Sequence, residues 1–576
     1  MFLRLEQGTR AYHDLVNSEV SRDLQNLLRA EEQRIVSSFP PLERRVAVLE
    51  LVRSIDHFYL HQSSRHEAGA DRDEETEMFF VYGCNKAMEL FLDESTQNEM
   101  VPLNSSTEEV RRWANSVLYN CGRIAACEML LDWERAHLGR FTTAEGTIRF
   151  DCTGRFVGLE AFEVEEFHWL RAFVAEHDQG LMRSLMERLP DIERMMTPLV
   201  RVWRNNYIAY DTTPEIDSYY EERGILQCRL MFGHDSFPGE ALLGGLEFNL
   251  YRAAVGILTG WMLKHLDFSK ILKKRHPHLE LSNLLTVHQE KRVLAGYLAS
   301  ALDISVTVAE QCLRVLTLTH NDKPQLTLPK GPPAPLVELG REHVLNSVAG
   351  CLNSPFDFMS TSLRQKYPSD CDRAVSLREK AFRGQLYSLF PQRGIICVPT
   401  QVKIRDGSRV LTDIDAAIFD PRNNVAGLFQ LKWQEPFGPS VRARESRKRN
   451  FLVQTRVWID QVLSFLQTVS PRNLADSFGL KLTDAEHIKH FRLFIVGRNF
   501  SHFSGDTAPD ERAAWGLWPQ ILRLAAEEYD YADPVTSLYH QLRRTSPFLK
   551  PRPDVADMAF SIGGTRIVVA ASPSRG

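Results

Sequence analysis

Two short stretches of this chain carry residue types and spacings suited to hydrolysis: Thr412-Asp413-Ile414-Asp415 and Gln430-Leu431-Lys432. Residues two apart share one face of a strand. If 411–419 is extended, Leu411, Asp413, Asp415, Ala417 and Phe419 lie on one face, and Ile414, Ala416 and Ile418 on the other. Two like charges so placed repel unless a cation sits between them. The second stretch puts Gln430 and Lys432 on one face, with Phe429, Leu431 and Trp433 on the other. Paired as a hairpin about residues 421–424, the two strands bring Asp415, Gln430 and Lys432 to one site. Hydrolysis assisted by a divalent metal is a chemistry that needs such a focus of polar groups. The bland alternative is a solvated sheet face with a chance ion pair.

A helix over residues 372–390 supplies a further carboxylate. Val375, Phe382, Leu386 and Phe390 form its apolar face, and Glu379 falls among them by helical spacing. A carboxylate at such a position needs a partner, because an unpaired buried charge is costly. Strands are expected over 394–404, 410–420 and 425–433, with turns at Asp406-Gly407-Ser408 and 421–424. A long helix over 444–467, a strand over 491–496, a helix over 513–528 and a terminal hairpin about Gly563-Gly564 complete an α/β order.

In this order the C-terminal part resembles the PD-(D/E)xK nuclease superfamily, over about residues 370–500. The flanking runs "DIDAAIFD" and "LFQLKWQ" are most similar to the Mrr-like restriction endonuclease branch, which uses Gln in place of the acid. The resemblance implies a metal-dependent DNA endonuclease using Mg²⁺ or Mn²⁺, which all-oxygen ligation favours over zinc. It implies that Asp415 ligates the metal, helped by the Leu431 carbonyl, and that Gln430 supplies an amide oxygen. Lys432 would orient or deprotonate the attacking water and offset charge on the phosphate. Glu379 would hold the metal through water, and Asp413 would support that sphere or enter it instead. A role in bacterial anti-phage or restriction-type defence comes only from the company this family keeps. An RNA-cleaving enzyme, or a scaffold for DNA or protein that keeps the arrangement without the chemistry, are the alternatives.

Downstream lies Arg442-Ala443-Arg444-Glu445-Ser446-Arg447-Lys448-Arg449, five basic residues in eight. Cations at a helix N-terminus oppose its dipole, so contact with backbone phosphates is the expected reason for them. Gln454 and Trp458, four apart on the same helix, either line the cleft or pack in the core.

Charge is unevenly divided along the chain. Residues 361–576 hold 31 Lys+Arg against 22 Asp+Glu, a net of +9; residues 1–360 hold 38 against 52, a net of −14. The two sum to the −5 of the whole. Such a split suggests a C-terminal half that faces a polyanion. The first 360 residues read as mostly helical, with amphipathic runs at 46–58, 110–133, 167–189, 245–266 and 290–302, and with strands at 147–162. Residues 294–317 resemble a helix-turn-helix broken at Asp303-Ile304-Ser305, and 326–335 would be its wing or a linker.

The fold expected is therefore α+β and multidomain. A helical region spans 1–240, a helical region with winged-helix-like features 241–360, and a restriction-endonuclease-like core with a central mixed sheet 361–576. The helical half would regulate or sense. Nine cysteines, odd in number and without a CxxC pair, fit a reducing compartment. With no apolar stretch near the ~20 residues that span a bilayer and no apolar leader, the expectation is a cytoplasmic protein without membrane contact. DNA is the expected partner, with further chains of a defence system and self-association left open. His57 and His61, four apart, lack an HExxH pattern, and no phosphate-binding glycine loop is present.

Overall fold

The computed structural model describes residues 19–38, 44–68, 74–98, 104–152, 159–328, 331–406, 409–433, 441–503, 509–527, 530–549 and 557–570. The chain is a mixed α+β protein. Long helices dominate its first part, among them Arg44–Ala68, Glu108–Arg135 and Phe248–Arg275. The helix expected over 167–189 is two, Leu159–His177 and Gln179–Met196, parted at Asp178. The strand expected over 147–162 stops at Cys152 and pairs with Gly139–Ala144. A helix has begun by Leu159.

The helix-turn-helix reading matches the local geometry. Lys291–Leu302 ends at Asp303, whose φ of 52° is left-handed, and Ser305 caps Val306–Leu316. The two helices meet at 112°. They lie between Val287–Glu290 and Leu336–Glu338, which flank His343–Asn346 in one sheet. Residues 329–330 of the expected wing lie outside the described residues. No single helix among those described is long and apolar enough to cross a membrane; the bent pair together has that length and composition.

The elements that build the site follow in order. They are α1 (Pro368–Ser388), β1 (Ile396–Cys397), β2 (Val402–Asp406), β3 (Arg409–Ile414), β4 (Ala416–Asp420), β5 (Val425–Lys432) and α2 (Val441–Thr468). After them come β6 (His490–Gly497), β7 (Ala513–Leu517), α3 (Trp518–Glu527) and α4 (Pro534–Arg544). The central sheet has the order β1-β4-β5-β6-β7. Its first two pairings are antiparallel and its last two parallel. Strand β5 is central and buried on both faces, which accounts for its nearly unbroken apolar run. One face packs on α2 through Phe451, Trp458, Ile459 and Val462. The other packs on α1, α3 and α4 through Phe382, Leu386, Ile521 and Leu538.

The terminal hairpin does not belong to this sheet. Gly563 and Gly564 turn it with φ of 53° and 80°, a left-handed pair that a tight hairpin requires. Thr565–Ala570 then lies parallel to Thr147–Cys152. Phe560, Ile562 and Ile567 thus enter the first helical core, beside Phe79, Leu118 and Phe150. A second core runs from Cys228 to Ala374, so neither core stops at the divisions read from sequence.

Ile567 is fully buried. Ile567→Ala should cost about 2–5 kcal/mol, read as a lower urea midpoint for the helical region around Trp113 and Trp133. An unchanged midpoint would mean that the hairpin does not carry that core.

Candidate functional site

Extended chain from 411 to 419 would place both carboxylates on one continuous strand. The structure breaks that strand at Asp415. Before the bend, β3 pairs with β2 in a separate two-stranded ribbon; after it, β4 enters the central sheet. The turn at 421–424 closes the β4–β5 hairpin with Asp420 opposite Val425 and Ala416 opposite Phe429. Asp415 therefore faces Gln430, and its N–H donates to the Phe429 carbonyl at 3.1 Å.

Asp415 is 5% exposed, and its carboxylate is bound on both oxygens. Oδ2 accepts from the Leu431 N–H at 2.7 Å and from the Gln430 amide. The Leu431 group that meets Asp415 is thus its N–H, whereas the resemblance implied a role for its carbonyl. Oδ1 accepts from Gln401 Nε2 at 3.1 Å, and the same nitrogen donates to Asp413 Oδ2 at 2.8 Å. One amide bridges the two carboxylates and eases their repulsion. Gln401 was missed by sequence reasoning. Its signal was its place two before Lys403, on the β2 face that opposes Asp413. Backbone contacts fix the corner: Arg383 donates to the Asp415 carbonyl at 3.0 Å, and Trp458 Nε1 to the Asp413 carbonyl at 2.6 Å. Trp458 is core, not cleft lining.

Glu379 is half-buried on α1, which starts at Pro368 rather than 372. Val375, expected on the same apolar face, is 41% exposed, while Phe382, Leu386 and Phe390 are buried. Glu379 therefore sits where the buried face of α1 meets solvent. Burial raises its carboxyl above the usual range, and Asp415 and Asp413 add to the rise against Lys432 and Arg383. Burial likewise raises Asp415, with Asp413 adding and Lys432, the Leu431 N–H and Gln401 opposing. Glu379, Asp413, Asp415 and Lys432 thus form one electrostatic group, with Arg383 as a second cation beside Glu379. Lys432 is half-buried and makes no side-chain hydrogen bond or ion pair among the described residues.

The basic run is only partly available to a ligand. Arg444 is 20% exposed, pairs with Glu163 at 3.2 Å and lies over Phe503. Lys448 is buried and pairs with Glu445 at 3.3 Å. Both cations are thus engaged within the chain. Arg447 is half-buried, and Arg449 and Gln454 are exposed on α2. Arg442 opens the same helix, and its side chain lies outside the described residues.

No three His, Cys, Asp or Glu side chains among the described residues form a ready metal-holding group. The donors present are carboxylate and amide oxygens, the hard type that suits Mg²⁺ or Mn²⁺. Gln401 and Gln430 here turn N–H donors toward Asp415, so an ion beside it would require both amides to reverse.

The raised carboxyls set the sign of a pH effect. The folded state holds these protons more tightly than the unfolded chain, so ionisation destabilises the fold as pH rises through the raised values. Asp415→Asn removes the charge and keeps one of the two accepting oxygens, the second becoming an N–H donor that the Gln401 amide meets by turning its carbonyl toward it. In metal-free buffer its urea midpoint should exceed the parent's at pH 7–8, and the gap should narrow as pH falls toward about 4, the ordinary carboxylate range. A gap that does not depend on pH would contradict this account.

No family model, no curated protein and no solved structure matched the chain in the three comparisons made.

Proposed function

We propose that this chain is a metal-dependent endonuclease that hydrolyses DNA phosphodiester bonds in a restriction-endonuclease-like core, with the helical half regulating or sensing. One observation carries the reading. The β4–β5 register sets a buried Asp415 against Gln430, with Lys432 the next residue on the Gln430 face and Glu379 within electrostatic reach. Burial of a carboxylate among like charges costs stability, and active sites are where such costs are retained. In support, a helix with Glu379, a hairpin with Asp415 and Gln430, and a following helix and parallel strand occur in the order that the resemblance implies.

Asp415, with Asp413, Gln430 Oε1 and Glu379 to complete the set, would hold Mg²⁺ or Mn²⁺. When bound, the ion supplies Lewis-acid stabilisation of phosphate charge and a more acidic water. Lys432 presents its ammonium to the phosphate and offsets the charge that grows there. Arg383 holds the Asp415 backbone, and Gln401 keeps Asp413 and Asp415 together before an ion arrives. A second reading, a binding scaffold without chemistry, is favoured by the two amide N–H groups that already satisfy Asp415.

Supercoiled plasmid incubated with the protein and Mg²⁺ or Mn²⁺, with EDTA as control, separates the two readings. Nicking should require metal, and excess RNA should not compete it away. Asp415→Ala and Lys432→Ala should each lose roughly 3–4 orders of magnitude in rate. Gln430→Glu should keep cleavage and lower the metal concentration for half-maximal rate, while Gln430→Leu should abolish it. Full activity in the Leu variant would remove Gln430 from the metal sphere. No nicking by the parent under any of these conditions would favour the scaffold.

A further inference from the structure

The β2–β3 ribbon has one face in the core and one in solvent. Val402, Ile404 and Ile414 are 6%, 1% and 0% exposed and pack into the core on the α2 side of the central sheet. On the outer face Lys403 stands opposite Asp413 and Arg405 opposite Val410. Lys403, Arg405, Arg409 and Val410 are all exposed. Gln401 begins the same face and reaches Asp413 and Asp415. A line of polar side chains, Gln401, Lys403 and Arg405, therefore runs outward from Asp415, advancing about 6.6 Å per pair of residues. The Lys403 ammonium makes no hydrogen bond or ion pair among the described residues, even with Asp413 as its cross-strand neighbour.

We propose that the outer face of this ribbon is the surface on which the chain holds duplex DNA, with Lys403 and Arg405 on backbone phosphates. The inference rests on the nuclease reading above and names where its substrate lies. Exposed cations that continue directly into the candidate site meet a polyanion that must reach that site. A two-stranded antiparallel ribbon also has the width that a DNA major groove admits. The β-bulge between Ile404 and Arg405 adds twist to the ribbon.

Two other basic segments make contacts within the chain. Arg444 and Lys448 pair with Glu163 and Glu445. At the end of Phe248–Arg275, Lys273 caps the Pro277 and Leu279 carbonyls, and Arg275 caps those of Thr197 and Val200. Lys274 is exposed there and serves as the comparison.

The test is binding of the full chain to a short DNA duplex in EDTA, at a series of salt concentrations. The double variant Lys403→Gln/Arg405→Gln should flatten the slope of log affinity against log salt by about 1.8, at 0.9 per lost phosphate contact. Lys274→Gln should leave the slope unchanged. If the double variant unfolds at lower urea than the parent, Lys403→Gln alone should still flatten the slope by about 0.9. A parent that binds and nicks DNA, with variants of unchanged slope, overturns the ribbon and leaves the nuclease reading standing. A larger effect of Lys274→Gln than of the ribbon variants does the same. A parent that neither binds nor nicks DNA overturns the nuclease reading, and the ribbon proposal with it.

Discussion

The site depends on a buried carboxylate at a corner of the backbone. Asp415 sits where the chain leaves the β2–β3 ribbon and enters the central sheet, and its Oδ2 accepts the Leu431 N–H just past the last β4–β5 pair. The side chain thus continues the ladder where the backbone turns away. Without those contacts an ionised group 5% exposed would be too costly to retain. With them, the same bend aims Asp413 and Asp415 at Gln401 and lets β3 run outward. One aspartate therefore fixes the hairpin register, the spacing of the carboxylates and the direction of the ribbon.

The charge division along the chain acquires a structural meaning alongside any contact with a polyanion. Cations of the C-terminal half meet carboxylates of the helical half across their junction: Arg523 with Glu166 at 2.5 Å, Arg444 with Glu163, and Arg498 with Asp235. Arg498 also donates to Gln385 and lies over Trp433, Phe382 and Trp518. Burial opposes the Asp235 charge, yet Arg498 holds its carboxyl well below the usual range. Arg498 thereby ties a loop of the helical half to α1, which carries Glu379, and to the end of β5, which carries Lys432.

Much of this was legible in the sequence because alternation and helical spacing report which faces are apolar. The hairpin about 421–424 and the convergence of Asp415 with Gln430 follow from period-2 reading of two strands. The bend at Asp415 was not legible, because Ile414 and Ala416 continue the alternation across it and the break comes from tertiary pairing. Nor was the fate of the basic run, since Arg444 finds Glu163 some 280 residues away, a pairing no local pattern announces. Gln401 shares the alternation of Lys403, but an uncharged amide on a polar strand face does not stand out from its neighbours. The terminal hairpin was read as a hairpin, but its partner strand at Thr147–Cys152 could not be read from its own residues.

The central claim is that Asp415 anchors a divalent cation in a set completed by its neighbours. Titration of Mn²⁺ into the full chain, followed by the paramagnetic signal of the free ion, tests this without any substrate. The account predicts saturable binding of about one ion per chain, weakened by falling pH as the raised carboxyls take protons. It predicts tighter binding in Gln430→Glu and loss of binding in Asp415→Asn. Equal binding by parent and Asp415→Asn would contradict it.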